Sequence, residues 1–496
     1  RMNRLLYPAN VLLLGLFTAQ VLATIQVHLS NTDLYHNLMA IKEAGYLTIP
    51  NQRIMHSLQE FGPALSGGIF FTFSVGTGLT IFSLAAVWVW DRLLHRNKIF
   101  LIPFLILWIG SLLVVNHRGF CPMVTSYFLF IPPLVFVATL RWMPPASRQR
   151  VWLNRMIYFI PVLLLALLWT SQMDSHLFLD LRDHLLLSNP SGTKIVDFYY
   201  DYTLYPAEVF KSLDQKILKT WDLENIQKTH MVRSLESELL NHDYIHVGED
   251  VAVDLKIARE GNILALGNKE RTILRTTSEE LLSSPGSVLK EFSSKSDRHA
   301  FFRKFTFFSL LIGFPISLYI ILYALFHFVS CLFLGLRTSS VIASILCFLI
   351  GITLLVHFHH SRERGIEVKD LAGALESEDW QNRVAALKII QQKGMEVGGF
   401  QAYRGMLASP HIPERYWLVR ALGVSRQSET FEDLLSFLDD PHPNVVSMAF
   451  YALGQRGERR AVKEIIKRVE ISDNWYNQWY AYKALRNLGW KQTRSK

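Results

Sequence analysis

Three cysteines in 496 residues give no disulfide framework. Cys331 and Cys347 fall inside long apolar runs and Cys121 stands alone at the end of another, so all three read as packing residues. A Walker loop, a dinucleotide-binding glycine pattern, an HExxH sequence and a paired CxxC are equally missing. With them go the stronger signatures of phosphate, nicotinamide and metal chemistry, and no cofactor is implied. Charge is sparse in the apolar runs, where Thr18, Gln20 and His327 are the main polar groups. A proton- or ion-coupled carrier needs charges along its path, so this shortage counts against one. His327 is expected to hydrogen-bond between helices.

What the chain has in abundance is apolar length. Half of it is hydrophobic and the mean hydropathy is positive, which at this size points to several membrane spans with attached modules. The stretch from Phe305 to His357 is broken only around Gly335–Thr338 and reads as a membrane hairpin, since about 20 apolar residues cross a bilayer. A bend is expected at Gly313 and Pro315. Upstream, Asn10–Val27, Gly62–Trp90, Ile99–Val115, Met123–Leu140 and a short Met156–Trp169 make five more expected spans, seven in all. Ser66–Gly68 and Gly76–Gly78 in the second are small residues that let another helix approach closely. The loop from His28 to Gly62 reads as short amphipathic helices along the interface.

The net charge of +9 follows the same logic. Positive residues cluster at the N-terminus, at 91–98 and at 141–155, all on one face if every segment crosses, and that face is the cytoplasm. The parts after the fifth and seventh spans are then extracytoplasmic. The expectation is a multipass protein of a bacterial inner membrane, touching lipids and another protein but no nucleic acid.

The expected organisation is a membrane domain over 1–170, a small α+β domain over 171–303, the hairpin over 304–360 and a helical array over 367–496. In the α+β part a helix is expected from Pro206 to Lys219, another from Leu223 to Leu240, and strands at Val251–Ile257 and Ile263–Leu266 around the turn Glu260–Asn262.

The array carries the most specific signal. Arg383–Leu387, Leu418–Leu422, Ala449–Leu453 and Ala481–Leu485 share a form, and their Ala-Leu pairs begin at 386, 421, 452 and 484. A period just over thirty is that of a two-helix solenoid unit. Over about Val368 to Leu488 these residues resemble HEAT repeats, particularly the short bacterial form named after phycobilisome lyase subunits. The resemblance implies a curved helical surface used for protein contacts.

On such a surface Tyr416, Trp417, Arg420, Trp475, Tyr476 and Trp479 are the candidate partner-binding residues, because aromatic and Arg side chains concentrate interface energy. Three other polar clusters stand out. His357, His359 and His360 read as an interfacial collar, His242, His246, Glu249 and Asp250 as a solvated turn, and Asn116–Arg118 as a polar cap or a contact for lipid phosphate or a partner carboxylate. No metal or catalytic residue is assigned. The function expected is an integral membrane scaffold or accessory subunit; a transport or channel component and a membrane enzyme with sites in 171–303 are the alternatives, and a non-enzyme is the expectation.

Overall fold

A computed structural model describes the chain apart from residues 1–5, 145–159, 175, 204–207, 209, 225–228, 249–251, 269–270, 363–364 and 495–496. Arg148, Arg150, Arg155, Glu249 and Asp250 lie outside the described residues, as does part of the short fifth apolar segment. The protein is mainly helical and divides into two compact units.

The first unit comprises Arg1–Ser30, Phe61–Leu177 and Asp297–His359. Six helices with segments in it are long and apolar enough to cross a membrane: Tyr7–Glu43, Phe61–Arg92, Lys98–Asn116, Pro122–Trp142, Ala300–Cys331 and Leu336–Arg362. A seventh, Ile160–Thr170, is apolar but shorter. They are helical because the segments lack charge and place large apolar groups all round, as with Leu107 and Leu167, about 70% exposed. The hairpin breaks at 332–335, and a π-helical turn, Ser309–Gly313, lies where the bend is expected, ahead of Pro315. Small residues set the helix contacts. A Cβ built at Gly76 would lie 2.5 Å from Ala19 Cβ, and one at Gly78 would lie 2.1 Å from Ser309 Oγ, so only glycine fits. Gln20 joins two helices by donating to the Leu65 carbonyl and accepting from Thr72. His327 is buried, but the partner of its ring is Cys331 one turn on, 3.6 Å away in the same helix, rather than a group on another helix.

The second unit gathers Asn31–Glu60, Phe178–Ser296 and His360–Lys496. The expectation of short interfacial helices from His28 fails over its first half: Tyr7–Glu43 runs on through it because no glycine or proline lies between His28 and Gly45, which ends the helix at φ +83°. Its sheet has five strands in the order β2-β1-β3-β4-β5. These are β1 (Lys219–Glu224), β2 (Tyr244–His246), β3 (Leu255–Glu260), β4 (Ile263–Gly267) and β5 (Thr272–Thr277). β1 runs parallel to β2 and β3, with Trp221 opposite Leu255, and β3, β4 and β5 form an antiparallel meander around Gly261, at φ +66°. Trp221, Leu235, Leu255, Ile257, Leu266 and Phe292 build the core against the helices Thr229–Asn241 and Pro285–Ser296.

Two helix expectations need correction. Residues 211–216 are turns and loop, not the end of a helix from Pro206, and Lys219 opens β1. The second helix begins at Thr229 rather than Leu223 because 219–224 is a strand. Ile217 instead packs into the core of the helical array.

Candidate functional site: the face of the helical array

Each repeat pairs a short outer helix with a longer inner one, and the inner helices are Trp380–Lys393, Ile412–Val424, Pro443–Arg456 and Trp475–Asn487. Ala386, Ala421, Ala452 and Ala484 are at most 1% exposed, at the contacts between successive inner helices. The reason is steric. A Cβ at Gly423 would sit 2.7 Å from Ala452 Cβ, and one at Gly454 would sit 2.9 Å from Ala484 Cα, so backbones touch where the repeat has Ala-Leu-Gly. Polar groups tie neighbouring repeats. Arg383 donates twice to Glu414 at 2.6 and 2.8 Å, Arg415 to Asp440 at 2.7 and 3.1 Å, and Ser447 to Asn477 at 2.6 Å. Charge-assisted and bidentate, the arginine contacts fix the rotation between units.

The chain's own residues lie over much of this face. Asp183 is fully buried: its Oδ1 accepts from Arg182 Nε and Nη2 at 2.9 and 2.8 Å, and its Oδ2 from Trp417 Nε1 at 2.8 Å. The Arg182 guanidinium lies 4.0 Å over the Tyr416 ring. Burial opposes its charge, but Asp183 overcomes this and holds the Arg182 pKa above the usual range. Asp180 accepts from Arg362 at 2.8 Å and Lys388 at 3.0 Å. His442 caps its helix by accepting from Asn444 N at Nδ1, and its Nε2 is 3.2 Å from Asp197. Burial keeps this imidazole below its ordinary pKa, which the acceptor role of Nδ1 requires.

The final repeat is covered as well. Asn51 Nδ2 donates to the carbonyls of Val469, Glu470 and Ser472, Gln492 Nε2 to that of Leu47, and Tyr482 to Asp243 at 2.6 Å. These contacts account for an aromatic last repeat where a bare array end would be polar.

Among the sequence-derived candidates, Tyr416, Trp417 and Trp475 are buried, while Arg420, Tyr476 and Trp479 are half-buried. Tyr476 packs on Tyr200 at 4.6 Å between ring centres. Trp417 carries two cations on its ring, Lys388 at 4.9 Å and Arg420 at 4.6 Å; Trp479 likewise carries Lys211 at 5.5 Å and Lys483 at 3.6 Å. Burial, and then the neighbouring Lys211 ammonium, lower the Lys483 pKa. Sequence reasoning missed Lys211, Lys388 and Lys483. A signal for the last was present, since Arg420, Tyr451 and Lys483 all occupy the position just before the repeat alanine.

The remaining clusters do not assemble a centre. His246 Nε2 is 3.7 Å from Asp222, His242 Nε2 is 3.9 Å from Glu238, and His359 Nδ1 is 3.3 Å from Gln172 Nε2. Among the described residues no three His, Cys, Asp or Glu side chains are grouped to hold a metal ion.

The geometry defines a solenoid of two-helix units. Residues 403–486 match the family model of HEAT repeats, leaving the first unit of the array outside the matched stretch. No curated protein and no solved structure matches the chain.

Proposed function

We propose that this chain is an integral membrane scaffold or accessory subunit whose HEAT-like array docks a partner protein. The observation that carries this reading is the row Arg420, Tyr451 and Lys483, on three successive inner helices and not buried, flanked by Trp417 and Trp479 with their bound cations. A basic and aromatic row of that kind favours an acidic segment of a partner, with cations steering the encounter and aromatics supplying contact area. Replacing Arg420 and Lys483 together by Glu should remove an acidic protein from the set that copurifies in mild detergent while leaving insertion in the membrane unchanged. An unaltered set would overturn docking at this row.

Membrane integration is supported by parity. Three separate stretches build the second unit, so all three belong on one side of a bilayer, with an even number of crossings between each pair. Ala300–Cys331 and Leu336–Arg362 satisfy this between 296 and 360. Between 60 and 178 lie three long apolar helices, so the shorter Ile160–Thr170 would be the fourth crossing, preceded in sequence by the apolar Met156–Phe159. Seven crossings with a cytoplasmic N-terminus then keep Arg92, Arg96, Lys98 and the basic stretch from Arg141 inside, and the array outside. In a background lacking the three native cysteines, single cysteines at Asn97 and His117 should label from opposite sides. Labelling of both from outside would refute this topology.

A further inference from the structure

We infer that the row Arg420, Tyr451 and Lys483 takes an extended acidic segment of a partner protein, with two carboxylates about six residues apart. This deepens the docking reading above and rests on it. Each cation of the row stands on a tryptophan, Arg420 on Trp417 at 4.6 Å and Lys483 on Trp479 at 3.6 Å. The second cation on each ring is answered within the chain, Lys388 by Asp180 at 3.0 Å and Lys211 by Glu208 at 2.6 Å. Among the described residues no carboxylate answers Arg420 or Lys483 in this way. Arg420 is the exception on the inner helices, where the other arginines each meet a carboxylate: Arg383 meets Glu414, Arg415 Asp440, Arg456 Glu458 and Arg486 Asp243. Its Nε is buried without an acceptor. The Tyr451 hydroxyl accepts from Gln455 Nε2 at 2.6 Å, which leaves its own proton to donate.

The same repeat position thus offers a donor on three successive helices, and the ligand it suits is rich in acceptors. A half-buried guanidinium without a counter-ion has lost water for nothing in return, and a carboxylate offsets that cost through a forked pair of bonds. Carboxylates are already what this face accepts: Asp183 Oδ2 takes the Trp417 indole proton and Asp180 takes Lys388. The register follows from the packing. Because a Cβ at Gly423 would sit 2.7 Å from Ala452 Cβ, neighbouring inner helices lie close, toward the short end of the roughly 8–10 Å usual between packed axes. Two such steps separate Arg420 from Lys483, roughly 16–20 Å. An extended chain advances about 3.3 Å per residue, so about five or six residues cover the span, and only an even number returns both side chains to one face. A helical ligand would need about 11 to 13 residues for the same reach. Near the midpoint of the extended segment, a carbonyl or side-chain oxygen meets the Tyr451 hydroxyl.

The test uses the purified full chain in mild detergent and the fluorescence anisotropy of labelled synthetic peptides built from Ser, Thr and Gln. One peptide carries two glutamates about six residues apart, a second carries them side by side, and a third has glutamine at both positions. The spaced peptide should bind about tenfold more tightly than the adjacent one, since only it meets both cations with charge-assisted bonds. Arg420→Gln and Lys483→Gln should each remove that advantage. Arg404→Gln, at an exposed arginine paired with Glu429 on a short outer helix, should leave it intact. Arg420 has no ion pair to lose among the described residues and Lys483 is exposed, so both single variants should keep the wild-type unfolding midpoint. Equal affinity for the two acidic peptides, or an equal loss in the Arg404 variant, would overturn the extended register. If the chain with Arg420→Glu and Lys483→Glu had meanwhile lost its acidic protein, docking at the row would stand without that register. Equal binding of all three peptides, together with an unaltered copurifying set, would overturn both.

Discussion

Replacing Asp183 by Ala should destabilise the second unit by roughly 3–5 kcal/mol, because it strands a buried positive charge. In the intact protein Arg182 is 7% exposed, and among the described residues its guanidinium hydrogen-bonds to the Asp183 carboxylate beside it, with the Tyr416 face above. The variant would also leave Trp417 Nε1 without its acceptor, a further cost of about 1–3 kcal/mol if water cannot reach it. Joint replacement by apolar residues, Arg182→Met with Asp183→Leu, should recover most of the loss, since the desolvation of both ions is removed together. Urea unfolding followed by tryptophan fluorescence provides the measurement, with a lower midpoint at unchanged slope as the expected signature. A midpoint shift worth less than about 1 kcal/mol would instead mean that the 177–187 segment leaves the array readily. Tyr416 and Trp417 would then be available to a partner in the detached state.

That alternative matters because the same aromatic residues stand out in the sequence for two different physical reasons. Large rings at array positions mark both interface anchors and inter-segment packing, and a local pattern cannot separate the two. The covering residues are far away in the chain: Asp183 meets Trp417 across 234 positions and Asp243 meets Tyr482 across 239. The long apolar helices were legible because composition alone specifies them, and the repeat was legible because alanine is needed wherever two helix backbones approach. The glycine two positions after that alanine belongs to the same signal in two of the repeats, where Gly423 meets Ala452 and Gly454 meets Ala484. β1 is hidden in the sequence for a related reason. Lys219, Thr220 and Asp222 are polar yet buried in a strand paired on both edges, and their alternation carries no exposed face to announce it. Parallel pairing of Trp221 with Leu255 reaches across the helix Thr229–Asn241 and β2, which local sequence does not show, whereas Val209, Phe210, Leu213, Ile217 and Leu218 approximate a helical stripe.

Ala452→Leu should cost roughly 1–3 kcal/mol, toward the upper end, because the group opposite cannot rotate out of the way. Ala452 is 0% exposed and faces Gly423, whose missing Cβ would already come within 2.7 Å of Ala452 Cβ and 3.0 Å of its Cα. Side-chain overlaps in a core are often relieved by a change of rotamer; here the obstruction is backbone, so the helices Ile412–Val424 and Pro443–Arg456 must move apart. Movement at that contact reaches the next, since the same helix uses Gly454 against Ala484. The row Arg420, Tyr451 and Lys483 spans all three helices, so its spacing would change along with stability, and retention of a partner should fall with the unfolding midpoint. Gln455→Leu is the matched control for stability alone, since Gln455 Nε2 donates to Tyr451 of the row: its position is exposed on the same helix, and a surface substitution of this kind is worth within about 0.5 kcal/mol. If Ala452→Leu unfolded at the wild-type midpoint, the alignment of repeats through their alanines would be wrong. If it unfolded early yet kept its full set of partners, the row would be unconnected with docking, and the partner surface would have to lie on another part of the unit.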